Sequence, residues 1–197
     1  MAAPWTIEGS KSPEWILAAL LLMPIVFLLS YGVLRLGGRA PPNVQVFSVP
    51  EIVAYFLMFF VGAIGEELGW QGYAYAGLKT GRSAPAVALI IGVIWGLRHV
   101  IPFAEMGRSA EWIFWQCLGA IAMRVIIVWL FASAGQSVPV AELFHVSINL
   151  SWGVFPIFGS FFDRFALFLI LALVAAALVA VSGTSTLARF RFGRNQA

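Results

Sequence analysis

The sequence contains one cysteine, two histidines and few charged residues. Because Cys117 is the only cysteine among 197 residues, an intrachain disulfide and a cysteine-based zinc site are both excluded. Charged residues make up 11% of the chain, whereas about 25% is usual in soluble domains. Hydrophobic residues make up 61%, and the mean hydropathy is +0.91. The composition therefore excludes an ordinary soluble domain and indicates a membrane protein.

The net charge of +3 does not indicate a nucleic-acid-binding protein. The basic residues lie mostly in connecting segments and in the C-terminal tail, where anionic lipid headgroups are adequate partners for them. These residues are Arg35, Arg39, Lys79, Arg82, Arg189, Arg191 and Arg194. We therefore expect the lipid bilayer, and no nucleic acid, as a partner.

Six apolar stretches have the length and composition of membrane-crossing helices, for which about 20 residues are needed. They are Trp15–Leu34, Pro50–Leu78, Ala84–Ile101, Trp112–Ala134, Val138–Phe158 and Phe165–Val181. A Gly/Pro-rich connector, Gly37–Pro42, follows the first stretch, and the alternation typical of strands is absent from the sequence. The sequence predicts an all-α, polytopic membrane bundle of about six transmembrane helices.

Lysine and arginine counts favour a cytoplasmic location for both termini. Six basic residues fall on the side of the termini, and four fall on the other side. The first group is Lys11, Lys79, Arg82, Arg189, Arg191 and Arg194, and the second is Arg35, Arg39, Arg108 and Arg164. We expect an integral protein of the cell (inner) membrane.

Three apolar stretches carry side chains that are costly at membrane depth. Each ionised group costs roughly 2.5–3.5 kcal/mol on insertion scales, so such residues indicate function. The ionisable side chains are Glu66, Glu67, His99 and His145, and the polar amide of Asn149 accompanies them. His145 and Asn149 are four residues apart and share a helical face. We expect Glu66, His99, His145 and Asn149 to line one water-filled pocket.

These side chains suit hydrolysis of an amide by activated water. A glutamate and a histidine can take a proton from water, and Asn149 and His145 can donate hydrogen bonds to an oxyanion. Adjacent glutamates point about 100° apart on a helix, so one faces the site while the other holds a structural partner. Three alternatives stay open: helix packing, a proton relay of a small transporter, and zinc held by Glu66, His99 and His145.

Three motifs carry a resemblance to a known family. The segment EELGWQGY at residues 66–73 resembles the first motif of the CAAX protease and bacteriocin-processing (Abi) family, in which two glutamates are followed by three residues and an arginine. Trp95 and His99, four residues apart, are similar to the second motif. His145 and Asn149 are similar to the third motif.

The resemblance implies an intramembrane endopeptidase similar to the type II CAAX-prenyl proteases, which remove the last three residues of prenylated proteins. Residues 50–160 would form the catalytic core. Residues 1–49 would supply an N-terminal helix and connector, and residues 161–197 a C-terminal helix and basic tail. The implied substrate is a CAAX-box protein, a bacteriocin or another membrane-associated peptide.

The resemblance also implies roles for the five site residues. Glu66 and His99 would activate water, His145 and Asn149 would stabilise the oxyanion, and Glu67 would support the site. We favour a glutamate site without a cofactor over a zinc site.

One position departs from the family pattern. Gln71 stands where the family has arginine, so Glu67 lacks that counterion, and Arg98 or Arg124 is a candidate replacement. The alternative is an inactive membrane scaffold or immunity-type protein of the same fold. Glu66 and His99 can meet only if the second helix extends past Gln71 or the third continues through Pro102.

Overall fold

The computed structural model describes residues 13–39, 46–155 and 163–188, and all regular secondary structure in these ranges is helical. The helices are α1 (Pro13–Leu36), α2 (Val49–Glu67), a π-helical segment (Leu68–Ala74), α3 (Tyr75–Lys79), α4 (Ala84–Arg98), α5 (Val100–Glu105), α6 (Ala110–Ser133), α7 (Val138–Val154) and α8 (Arg164–Ser182). The predicted all-α fold class is confirmed.

Several sequence-based predictions lie outside the described residues. They concern Lys11, the end of the connector at Pro42, the end of the fifth stretch at Phe158, and the tail arginines Arg189, Arg191 and Arg194.

Short polar side chains fix where several helices begin. Ser83 accepts a hydrogen bond from the Ala86 N–H at the start of α4, and Ser109 accepts one from the Trp112 N–H at the start of α6. Asp163 caps the first turn of α8. Because the first N–H groups of a helix have no partner within it, these caps stabilise the observed boundaries.

Within the described residues, five spans are long and apolar enough to cross a membrane, namely Pro13–Leu36, Val49–Lys79, Ala84–Glu105, Ala110–Ser133 and Arg164–Ser182. Helix α7 has 17 described residues, fewer than the other spans, and packs against α1, α2 and α6. The core lies along α6 and α7, where Ile126, Leu130 and Phe144 are completely buried. The protein is an integral membrane bundle.

The second and third spans are both longer than their central α-helices. The second passes through the π-helical segment, which contains Gln71, and continues to Lys79. The third continues beyond His99 through Pro102 to Glu105. Either extension was expected to let the Glu66 and His99 regions meet, and both are present.

Contacts between chain segments define the two ends of the bundle. At one end, Arg39 pairs with Asp163 at 3.2 Å. At the opposite end, the Ala84 N–H donates to the Ser185 carbonyl at 3.0 Å, and the Ser133 hydroxyl donates to the Leu187 carbonyl at 3.4 Å. The first, here called the Arg39 end, is also where α4 and α5 lead from His99 towards α6.

Glycines allow α4 to pack closely on α6. A Cβ atom added at Gly92 would lie 3.0 Å from the Ile121 Cα and 3.2 Å from the Arg124 Cβ. One added at Gly96 would lie 3.2 Å from the Cys117 carbonyl oxygen. Small residues four apart bring membrane helices into backbone contact, and here they bring Trp95 of α4 close to α6.

We expect Gly92→Ala to destabilise the bundle by about 1–3 kcal/mol, because the added methyl group has no space at this backbone contact. Thermal unfolding of the purified protein in detergent measures the change. Gly62→Ala is the matched control, since a Cβ atom at Gly62 meets nothing within 4 Å. Equal stability of the two variants would contradict the close α4–α6 contact.

Candidate active site

Trp95 links three of the residues that the sequence predicts for the site. Its indole N–H donates to the Glu66 Oε2 atom at 2.8 Å. Its ring centroid lies 5.5 Å from that of His99 and 5.4 Å from that of His145, each pair at an interplanar angle of 83°. The two imidazoles therefore lie on one indole, which also orients a carboxylate.

Glu66 is the more exposed carboxylate of the two adjacent glutamates. Its side chain is 23% exposed, and its Oε1 atom accepts a hydrogen bond from Arg98 at 2.7 Å. Arg98 is itself 45% exposed, so this ion pair lies at the surface of the helix bundle. The pair and the indole N–H set the direction of the carboxylate.

Glu67 points away from Glu66 and is completely buried. Both of its oxygens accept hydrogen bonds from the Arg124 Nη1 atom, at 3.0 and 2.9 Å. The His145 Nδ1 atom lies 2.8 Å from Oε1. Arg124 is also completely buried, and its guanidinium lies 4.4 Å from the Trp95 ring centroid. Glu67 therefore acts as the structural carboxylate of the pair.

The hydrogen bonds fix which nitrogen of each histidine carries a proton. The His99 Nδ1 atom lies 2.6 Å from the Trp95 carbonyl oxygen. Because a carbonyl only accepts, Nδ1 is the donor and Nε2 is left for water or substrate. Since Arg124 pairs with Glu67 as a carboxylate, the His145 Nδ1 atom donates to Glu67 in the same way. Both imidazoles are thus held through Nδ1, which leaves Nε2 available.

A cavity of about 170 Å³ lies beside His99 and Asn149. Most of its wall is apolar, and the lining residues include Met23, Phe27, Trp95, Met123 and Ile148. Glu66, Glu67 and His145 do not line it. The expectation of one pocket lined by Glu66, His99, His145 and Asn149 therefore needs correction. His99 and Asn149 share the cavity, whereas Glu66 and His145 contact the Trp95 ring, which forms part of its wall.

No three His, Cys, Asp or Glu side chains among the described residues are grouped to hold one metal ion. Glu66 is engaged by Trp95 and Arg98, and Glu67 is engaged by Arg124 and His145. Zinc held by Glu66, His99 and His145 would need these side chains to rearrange.

More than half of the chain matches a known protein family. Residues 48–151 match the family described as Type II CAAX prenyl endopeptidase Rce1-like. The chain belongs to this family. It is also similar to CAAX prenyl protease 2 of Methanococcus maripaludis, with 32% identity over 145 residues. The matched region covers 66% of this chain and 53% of that protein, so the chain spans about half the length of this curated relative. The predicted family resemblance is confirmed.

Three residues that the site prediction did not include hold this Rce1-like site together, namely Trp95, Arg98 and Arg124. The spacing of Trp95 and His99 marks the tryptophan as a same-face neighbour. Arginines inside apolar stretches mark candidate counterions. The sequence offers Arg98 or Arg124 as the counterion of Glu67, and the structure pairs Arg124 with Glu67 and Arg98 with Glu66.

The position that departs from the family pattern is also explained in part. Gln71 is 2% exposed, and neither amide atom has a hydrogen-bond partner among the described residues. The counterion of Glu67 comes instead from Arg124 on α6. The buried carboxylate is therefore paired with an arginine of a neighbouring helix and not with position 71 of its own span.

We expect Arg124→Leu to destabilise the protein by about 3–5 kcal/mol, because it leaves the Glu67 charge buried without a counterion. The double variant Glu67→Leu with Arg124→Leu should recover much of that loss, since replacing both charges by apolar side chains is often neutral. Thermal unfolding of the wild type, both single variants and the double variant gives the coupling energy. Additive effects would show that the pair is not energetically coupled.

Proposed function

We propose that this chain is an intramembrane endopeptidase that hydrolyses a peptide bond of a membrane-associated substrate by activated water. The observation that carries the proposal is the joint placement of Glu66 and His99 on Trp95, with His99 in the wall of a cavity. Membership of the Rce1-like family and the name of the M. maripaludis relative support the same reaction. They also support a prenylated CAAX protein as the substrate.

In this proposal, His99 and Glu66 position and deprotonate the water. The His99 Nε2 atom accepts one proton as the water oxygen attacks the carbonyl carbon. Glu66, oriented by Trp95 and Arg98, assists that transfer. The proton then passes to the nitrogen of the leaving amine as the C–N bond breaks. No covalent intermediate with the protein forms.

The oxyanion of the tetrahedral intermediate needs hydrogen-bond donors that are already in place. Asn149 lines the cavity with His99, so its amide N–H group suits this role. His145 is held by Glu67 and can donate from Nε2 when it carries both protons. Glu67 and Arg124 contribute by keeping His145 in position.

We propose that the reaction uses the glutamate without a metal ion. The support is the hydrogen bonding of the donors, since both carboxylates already have protein partners at 2.7–3.0 Å. A zinc chelator and elemental analysis test the zinc alternative.

An inactive scaffold or immunity-type protein is the second candidate function, and Gln71 is the observation that favours it. The pairing of Arg124 with Glu67 weakens that argument, because the charge of the missing arginine is supplied from another helix. Processing of a bacteriocin or another membrane peptide is a different substrate for the same reaction.

We expect Glu66→Gln and His99→Ala each to lower the rate of cleavage by about 10²–10⁴-fold, the range of general acid–base catalysis. The assay follows a farnesylated, internally quenched peptide with a CAAX sequence, cleaved by protein reconstituted in liposomes. Glu105→Gln is the matched control, because Glu105 lies at the exposed end of α5. Folding is checked by thermal unfolding. Full cleavage by both site variants would remove the hypothesis.

We expect treatment with a zinc chelator to leave cleavage unchanged, because the proposed water is activated by protein side chains alone. Elemental analysis of the purified, active protein should find no stoichiometric zinc. Loss of cleavage on chelation, with recovery on adding zinc, would instead support the zinc site of Glu66, His99 and His145.

A further inference from the structure

Two carboxamide side chains line the cavity beside His99, namely those of Asn149 and Gln116. The proposed mechanism uses Asn149 for the oxyanion and gives Gln116 no role. Gln116 is half-buried, and its side chain makes no hydrogen bond within the part of the chain that the structure describes. A carboxamide on a membrane helix commonly bonds to a neighbouring helix. Gln116 lacks such a contact, so its donor and its acceptor are available at the cavity wall.

The spacing of residues on α6 explains why the Gln116 side chain is at the cavity. Gln116, Ala120 and Met123 all line it, and intervals of four and three residues place them on one face of the helix. Among these three side chains, Gln116 is the polar one. This face of α6 therefore presents a hydrogen-bonding group to a cavity whose wall is mostly apolar.

The close contact between α4 and α6 sets the level of Gln116 relative to His99. The two helices run antiparallel, and Gly96 faces Cys117. His99 follows Gly96 by three residues, and Gln116 precedes Cys117 by one, so both are displaced towards the Arg39 end. Because a helix rises by about 1.5 Å per residue, the two residues differ by about 3 Å along the helix axes. Gln116 is therefore beside any peptide that is attacked at His99.

A peptide substrate brings polar backbone groups into this mostly apolar cavity. Each N–H or C=O group that leaves water needs a new partner, because an unpaired one is costly in apolar surroundings. In an extended chain, the N–H and C=O groups of one residue point to the same side. The carboxamide of Gln116 has an acceptor oxygen and a donor amino group, so it matches both groups of such a residue at once.

We propose that Gln116 binds the backbone of a substrate residue next to the scissile peptide bond. Its Oε1 atom accepts a hydrogen bond from the N–H group of that residue, and its Nε2 atom donates one to the C=O group. This contact holds the substrate extended, with the scissile carbonyl between His99 and Asn149. The inference rests on the proposed function and deepens it, since it names the part of the substrate that the α6 wall recognises.

The experiment compares three farnesylated, internally quenched CAAX peptides, cleaved by protein in liposomes. One peptide has amide bonds throughout. In each of the others, an ester oxygen replaces the N–H group of the second residue on the N-terminal or the C-terminal side of the scissile bond. We expect the wild type to cleave one ester with a kcat/KM about tenfold lower, because the Gln116 oxygen loses its donor. Mass spectrometry identifies the cleaved bond.

Gln116→Met keeps the length of the side chain and removes its amide. We expect this variant to cleave the all-amide peptide about tenfold less efficiently than the wild type does, with no further loss for either ester. Gln116→Leu is the second variant if Gln116→Met does not fold. Leu167→Met is the matched control, because Leu167 lines the same cavity and is apolar, so it should keep the wild-type ratio. Size-exclusion chromatography monitors folding.

Equal cleavage of the three peptides by the wild type would overturn the inference. So would a loss with one ester that Gln116→Met retains, since another group would then bind that N–H. If the wild type cleaves no peptide, fluorescence anisotropy of fluorescein-labelled versions gives their Kd values for the protein in phosphatidylcholine nanodiscs. Weaker binding of one ester that depends on Gln116 would reject only the peptidase, whereas equal binding would reject the Gln116 contact as well.

Discussion

The rest of the structure depends on the buried ion pair between Glu67 and Arg124. Both side chains are completely buried, and either charge alone would be costly in apolar surroundings. The pair joins α2 to α6, and the hydrogen bond from His145 adds α7. Because hydrogen bonds are directional, they fix the relative rotation of these helices, which apolar packing in a bilayer specifies only weakly.

The position of Trp95 follows from this pair. Arg124 lies against the face of the indole, and Gly92 and Gly96 allow α4 to come close enough to α6 for that contact. Once the indole is fixed, its N–H group orients Glu66 and its edges contact both imidazoles. A structural ion pair thus positions the side chains proposed for chemistry, although it does not line the cavity.

The sequence predicts the helical spans and the residues of the site better than it predicts the contacts. The apolar stretches predict the positions of the spans because length and hydropathy are properties of each segment alone. The predicted stretch Ala84–Ile101 ends before the helical span does, since the span continues to Glu105. Spacing also relates Trp95 to His99, which share a helix. By contrast, Arg124 is 57 residues from Glu67 and His145 is 78 residues from it. Such pairs depend on how helices rotate and pack, and so does the choice of side chains that line the cavity.

In the proposed mechanism, Glu66 and Glu67 have different roles, which match the difference in their surroundings. In the proposed mechanism, Glu66 assists the transfer of a proton from water to His99, and it is the more exposed of the two carboxylates, with 23% of its side chain accessible. A carboxylate that positions an imidazole must keep its charge and its direction, and Glu67 is completely enclosed between Arg124 and His145. Adjacent positions on one helix suit this division, since neighbouring side chains diverge by about 100°. One glutamate thereby points towards Trp95 and Arg98 of α4, and the next points into the interior towards Arg124 of α6 and His145 of α7.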